Sequence, residues 1–152
     1  MNAPFYTTKT YKTEASLGFM LGRCVNRITD TIDASLAESG INSRQFGILH
    51  AILNGRAKNP SDLARLRYQY SAAITYTLDV LEKKKLLVRR RSVQDRRGIE
   101  LELTPHGETL TRSCIPLVVE AQNRVLEQLS RDDYRTLSTL LSRIADGATT
   151  CA

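Results

Sequence analysis

Histidine occurs twice in this chain, at His50 and His106, and cysteine three times, at Cys24, Cys114 and Cys151. Two such histidines form no pair at metal-ligand spacing, and there is no C-x-x-C and no glycine loop that would cradle a phosphate. Three widely spaced cysteines make neither a disulfide framework nor a zinc site, and they fit a reducing compartment. No apolar run approaches the ~20 residues that a membrane span requires. The opening stretch MNAPFYTTKTYKTEA is polar and lacks the apolar centre of a signal peptide. Repeats, low-complexity tracts and Pro-, Gly- or Ser-rich linkers are absent too. These absences argue against an enzyme, a cofactor protein or a membrane partner. They predict a single cytoplasmic domain over residues 1–152.

What is present is an ordinary globular balance, 41% hydrophobic and 25% charged, with a net charge of +6. That charge is localised. Residues 82–97 hold eight basic side chains (Lys83, Lys84, Lys85, Arg89, Arg90, Arg91, Arg96 and Arg97) against two acidic ones, Glu82 and Asp95. The rest of the chain is neutral. A basic run can be no more than a solvated face, so its meaning depends on the elements that carry it.

Those elements are mainly helical. Leu17, Met20, Leu21, Cys24, Ile28, Ile32 and Leu36 recur at three- and four-residue steps, which predicts a long helix over 14–38. Gly40 can end it in the left-handed conformation. Ser43 is expected to cap a second helix that turns Phe46, Leu49, Ile52 and Leu53 inward. Asn59-Pro60 is an N-cap followed by proline at the first helical position, opening a short helix with Leu63, Ala64 and Leu66. After a turn over 67–70, Ser71 can cap a fourth helix. It buries Ile74, Leu78 and Leu81, and presents Ala72, Thr75 and Tyr76 outward.

The period then changes to two. Residues 86–91 and 99–103 alternate as half-buried strands do, joined by the polar turn SVQDRRG. Thr104-Pro105 starts a long helix that Pro116 should kink or split, and a last helix over 132–146 carries Leu137, Leu140, Leu141 and Ile144 on one face. A short helix, a tight turn, a second helix and a basic hairpin make a winged helix-turn-helix, mainly α with a small β-hairpin wing. Physically, such a helix fits the major groove, where base pairs present distinct donor and acceptor patterns. An arginine-tipped hairpin suits the negative potential of the neighbouring minor groove.

The stretch DLARLRYQYSAAITYTLDVLEKKKLLVRRRSVQDRRGIELELTPHGETL resembles the MarR (multiple antibiotic resistance regulator) family. Its most specific part is Asp95-Arg96-Arg97, followed by Leu103-Thr104 and Gly107 and preceded by Leu81-Glu82. The ending LSRDDYRTLSTLLSRI is similar to that family's C-terminal dimerisation helix. The resemblance implies a homodimeric transcriptional regulator, plausibly a repressor, that reads a near-palindromic operator in double-stranded DNA. A DNA-binding lobe would span about 44–104, and N- and C-terminal dimerisation helices about 14–38 and 105–146. Position by position, Ser71, Ala72, Thr75 and Tyr76 would face bases or phosphates. Arg96 would be the wing-tip reader, Asp95 and Arg97 a pair that shapes the wing, and Arg89, Arg90 and Arg91 a source of phosphate attraction. Tyr68 and Lys85 stand where members commonly have glycine. A left-handed Lys85 costs ~1 kcal/mol relative to glycine.

The resemblance also implies a cleft for a small effector, often an aromatic acid, bordered here by Leu17, Met20, Leu21, Cys24, Phe46 and His50, with Tyr68 a further lining residue. Arg23 or Arg27 could hold a carboxylate through a two-pronged hydrogen bond, although for either arginine alone an intersubunit or surface ion pair is the more common role. Some members sense oxidants through a cysteine of the first helix, but that position falls on Gly18. Cys24 is therefore expected to be a buried thiol that packs as a small hydrophobe. The alternatives to a ligand-released repressor are a thiol-based oxidant sensor and a winged helix used mainly for protein contacts.

Overall fold

Capping chemistry sets most of the helix boundaries in the computed structural model, which describes residues 4–66, 71–92 and 98–147. The first helix, α1 (Leu17–Leu36), starts at Ser16, whose hydroxyl accepts from the Phe19 N–H. A 3₁₀ turn, Thr13–Ala15, precedes it, and the Tyr6 hydroxyl accepts the Leu17 N–H at 3.0 Å. At its far end a second 3₁₀ turn leads to Gly40 in the left-handed conformation, φ 68°. The second helix, α2 (Ser43–Leu53), is capped by Asn42 rather than by Ser43. The Asn42 side chain accepts from the Gln45 N–H at 2.9 Å, and the Gln45 side chain accepts the Asn42 N–H in return. The Ser43 N–H is instead taken by the Asp33 carboxylate at 2.6 Å, which ties α1 to α2.

Asn59 caps α3 (Pro60–Arg65), with Pro60 at its first position as the sequence predicts. Helix α4 spans Ser71–Lys83, so Ser71 is already helical. Strands β1 (Leu87–Arg91) and β2 (Ile99–Leu103) pair antiparallel, from Leu87 opposite Leu103 to Arg91 opposite Ile99. Helix α5 (Pro105–Leu126) runs through Pro116 without dividing in two. Pro116 and Arg112, whose carbonyl loses its helical partner, are both exposed, so water can take that carbonyl. Helix α6 (Arg131–Ala145) begins with a reciprocal box between Ser130 and Asp133. The Ser130 hydroxyl and N–H hold the Asp133 carboxyl below its ordinary range.

Long helix α5 packs along α1 and crosses α2. Ile32, Leu36, Ile48, Leu49, Leu63, Ile74, Leu78, Leu81, Leu87, Leu101 and Cys114 meet in one core. That core belongs to the lobe and to the α1–α5 contact. It leaves two apolar faces open in the single chain. Of the α1 stripe only Ile32 and Leu36 are buried, and Leu17, Met20 and Cys24 are exposed. The expectation of a buried Cys24 is therefore corrected. Cys24 lies in the half of α1 whose side chains are mostly exposed, and among the described residues Cys114 is the cysteine in the core. In α6 no side chain is buried, with Leu137, Leu140 and Ile144 exposed.

The end of α4, the root of the hairpin and the start of α5 share one junction. Lys85 takes φ 58°, and the Leu86 N–H closes the helix end on the Leu81 carbonyl at 3.0 Å. Thr104 then returns to the same turn. Its N–H donates to the Leu86 carbonyl at 3.1 Å and its hydroxyl to the Lys85 carbonyl at 2.7 Å, while that hydroxyl accepts the Gly107 N–H. Gly107 lies so close that a Cβ there would fall 1.8 Å from the Leu86 carbonyl oxygen, a backbone atom that cannot swing away.

Two substitutions test this junction by urea denaturation at constant m-value. Gly107→Ala should destabilise the protein by about 3 kcal/mol or more, since backbone must move to admit the methyl group. Lys85→Gly should stabilise it by about 1 kcal/mol through relief of the left-handed strain, less the added freedom of the unfolded chain.

Candidate nucleic-acid interface

Helix α4 has two faces of different character. Ile74, Leu78 and Leu81 are anchored in the core, and Thr77, also buried, returns its hydroxyl to the Ala73 carbonyl at 2.8 Å. On the other face Thr75 is exposed and Tyr76 stands 71% exposed. A buried aromatic would have been packing. This one projects from the lobe, as the outward position expected for Tyr76 requires. The side chains of Ser71 and Ala72 lie outside the described residues, as does Tyr68.

The hairpin carries the arginines of the basic run, and these differ in their surroundings. Arg91 is exposed and has no ion pair among the described residues. Arg90 is mostly exposed and donates to Glu102 on the neighbouring strand at 2.6 Å. Arg89 is only 24% exposed and is drawn onto α4, with Asp79 at 2.7 Å and Glu82 at 3.0 Å from its guanidinium. Lys84, at the end of α4, is also engaged, donating to the Gly40 carbonyl and to Gln45. Lys83 and Lys85 are exposed. Ser92 continues the ladder by donating its N–H to the Gly98 carbonyl and its hydroxyl to Glu100. Asp95, Arg96 and Arg97, the expected wing tip, lie outside the described residues.

Of the residues expected at an effector cleft, the structure brings four together. Met20, Arg23, Cys24 and Arg27 line an open groove along α1 with Asn26, Asp30 and Thr31. Neither arginine has an ion pair among the described residues. Phe46 and His50 are not among the residues lining that groove. They stack on each other instead, ring centroids 5.3 Å apart and nearly parallel, with Phe46 in the lobe core. Leu17 belongs to a second groove, where Phe5, Tyr6 and Met20 face Leu140, Arg143 and Ile144. Sequence reasoning missed this joining of the chain's two ends. It also missed the acidic partners of Arg89, although Asp79 and Glu82 stand three residues apart on α4 just before the hairpin.

Among the described residues no group of three His, Cys, Asp or Glu side chains could hold a metal ion, and no helix is long and apolar enough to cross a membrane. Residues 39–98 match the model of the MarR family. The transcriptional regulator MhqR of Bacillus subtilis is 26% identical over 134 residues, covering 87% of this chain and 92% of its own. An Escherichia coli MarR variant solved with operator DNA superposes with a TM-score of 0.81 at 23% identity, over 88% of this chain and 99% of that one. Bordetella bronchiseptica BpsR, whose DNA binding is regulated by 6-hydroxynicotinic acid, superposes with a TM-score of 0.82 at 22% identity, over 91% and 99%. The last two likenesses bear on fold alone. The winged helix-turn-helix, the family match over residues 39–98 and a regulator similar over nearly its whole length point one way: this chain is similar to the MarR family of transcriptional regulators.

Proposed function

We propose that this protein binds double-stranded DNA in a sequence-specific way as a homodimeric repressor, with α4 in the major groove and the hairpin in the adjacent minor groove. The observation that carries this reading is the exposed Thr75–Tyr76 face of α4 beside the stretch 82–97, from the end of α4 into the hairpin, that holds the chain's whole excess of positive charge. Thr75 and Tyr76, with Ser71 and Ala72 before them, are the base- or phosphate-facing set. Arg91 supplies phosphate attraction, and Arg96 is the minor-groove reader, flanked by Asp95 and Arg97. The E. coli MarR variant that shares this fold was solved on operator DNA.

The dimer follows from the open apolar faces. Leu17, Phe19, Met20, Leu137, Leu140 and Ile144 are all exposed in one chain, and a second copy would cover them. On this reading the whole chain is one domain whose lobe is carried on α1, α5 and α6. The α1 groove takes an effector, with Arg23 or Arg27 holding its carboxylate. BpsR responds to an aromatic acid of this chemical class. Such a ligand favours a dimer whose recognition helices are wrongly spaced for half-sites one DNA turn apart. A second reading gains from the exposure of Cys24 in that groove: oxidation of its thiol, in place of ligand, would release the DNA.

Selection from a random duplex library at near-physiological salt should recover a near-palindrome bound at nanomolar affinity. Sequence-blind binding alone would move the function towards protein contacts. On the recovered site, Tyr76→Ala and Arg96→Ala should each weaken binding while sedimentation still reports a dimer. Unchanged affinity in both would take helix face and wing out of the mechanism.

The paired substitution Leu140→Asp with Ile144→Asp should halve the sedimenting mass and lower operator affinity at least tenfold. A dimer that survives both aspartates places the interface elsewhere.

Arg27→Ala and Arg23→Ala, tested with salicylate or 6-hydroxynicotinate, should leave operator affinity intact and blunt release by the acid. Release by peroxide that Cys24→Ser abolishes would favour the thiol reading.

A further inference from the structure

The basic run is not electrostatically uniform, and Arg89 is its exception. Along β1 the side chains alternate, so Leu87, Arg89 and Arg91 leave on one face and Val88 and Arg90 on the other. Arg89 lies opposite Leu101, and Leu87 and Leu101 are both core residues. Its side chain is therefore aimed at the lobe, where α4 passes. Four acceptor contacts meet it there. The guanidinium reaches Asp79 Oδ1 at 2.7 Å and Glu82 Oε2 at 3.0 Å, and its other terminal nitrogen reaches the Thr75 carbonyl at 3.4 Å. The Arg89 main-chain N–H donates to Glu82 Oε1 at 3.2 Å. Glu82 thus grips both the side chain and the backbone of one wing residue.

We infer that Arg89 is a positioning residue that fixes the wing relative to the recognition helix, and that it makes no phosphate contact. This rests on the DNA-binding reading above. Two carboxylates already surround one guanidinium, so the cluster is net acidic and offers nothing to a phosphate. Swinging Arg89 out to DNA would also leave Asp79 and Glu82 facing the phosphates uncompensated. The contact to the Thr75 carbonyl matters because Thr75 opens the exposed face of α4. The clamp spans from that turn to the wing, so it couples the two surfaces that must enter neighbouring grooves together. A planar fork with five donors can serve these acceptors at once, whereas a lysine ammonium on a flexible stem cannot.

Operator and scrambled duplexes, titrated across a salt series, test this assignment. Wild type must first prefer its operator. A wild type with no preference removes the DNA reading, and this role with it, before any variant is compared. Given that preference, Arg89→Lys keeps the charge and should lower the operator-to-scrambled affinity ratio at least tenfold, with the slope of log K against log salt unchanged. Arg91→Ala should do the reverse, reducing that slope by about 0.9 and weakening both duplexes alike. Glu82→Gln is the sharper variant, because it removes a negative charge and leaves the shape. The clamp predicts a lower ratio for it, while a phosphate-contacting Arg89 predicts tighter binding to both duplexes. Thermal melts of the free variants check that the fold persists. An Arg89→Lys protein with an unaltered ratio, or a Glu82→Gln protein that gains affinity for both duplexes, would overturn the inference.

Discussion

The approach of Gly107 to the Leu86 carbonyl is the constraint on which the relation between the two halves of the molecule depends. Three elements end or begin within a few residues of it, and each needs the others in place. Helix α4 has to stop, so Lys85 accepts a left-handed backbone that favours glycine. The chain must then enter β1 with its carbonyls already partnered, and Thr104, returning from β2, partners two of them. Thr104 also caps α5, with the same hydroxyl that donates to Lys85 accepting from Gly107. One threonine therefore sets where the wing begins and where the longest helix begins. A displacement of α5 cannot leave α4 and the hairpin behind, because no flexible segment separates them.

Burial tells the complementary story. The lobe is finished by its own residues: Leu63, Ile74, Leu81, Leu87 and Leu101 close around one another, and Asn42, Asn59 and Thr104 satisfy the helix starts. The terminal helices are not finished in this sense. Their most regular apolar spacings, on α1 and α6, produce some of the most exposed apolar side chains in the structure. A stripe with clean helical periodicity that stays exposed among the described residues is, on the proposed reading, the surface a second copy would cover, and the α1 groove puts Arg23 and Arg27 beside it. An effector there would act at the seam and reach the wing through α5.

Most of this architecture was legible in the residues, because it is written in local chemistry. The Asn59-Pro60 and Thr104-Pro105 starts, Gly40 at a helix end, and the change of period from helix to hairpin each report a backbone requirement within a few residues. What misled was a matter of competition and of distance. Ser43 and Asn42 are both good caps, and Asn42 prevails because Gln45 can answer it while Asp33, ten residues back, claims the Ser43 N–H. Pro116 leaves α5 undivided because its lost hydrogen bond falls on the wet side of the helix. Cys24 is apolar by periodicity and exposed by structure because a stripe says which residues share a face, not whether the same chain covers it. The candidate site shows the same limit. Arg23 and Arg27 share a helix and a groove, as spacing alone requires, while Phe46 and His50, on another helix, stack on each other instead.

The basic run illustrates how a correct inference from charge can still mis-assign its members. Counting charges places an excess of cations at the end of α4 and in the hairpin, and the structure shows that Arg89 and Arg90 are paired while Arg91 is exposed. The count cannot say which cations face outward, since Arg89, Arg90 and Arg91 are identical in chemistry and adjacent in sequence. Strand parity separates Arg90 from the other two, and the carboxylates of α4 separate those. Arg89 is level with Asp79 and Glu82, whereas Arg91 lies two residues further along the strand and meets no described carboxylate. One repeated residue thus has two different surroundings on the same strand. On the reading proposed above, the inner arginine would hold the hairpin at its angle and the outer one would carry charge towards DNA. Specificity and attraction would in this way fall to different positions of the same five-residue strand. That division allows affinity to be tuned by salt or substitution at the tip without loosening the geometry at the root.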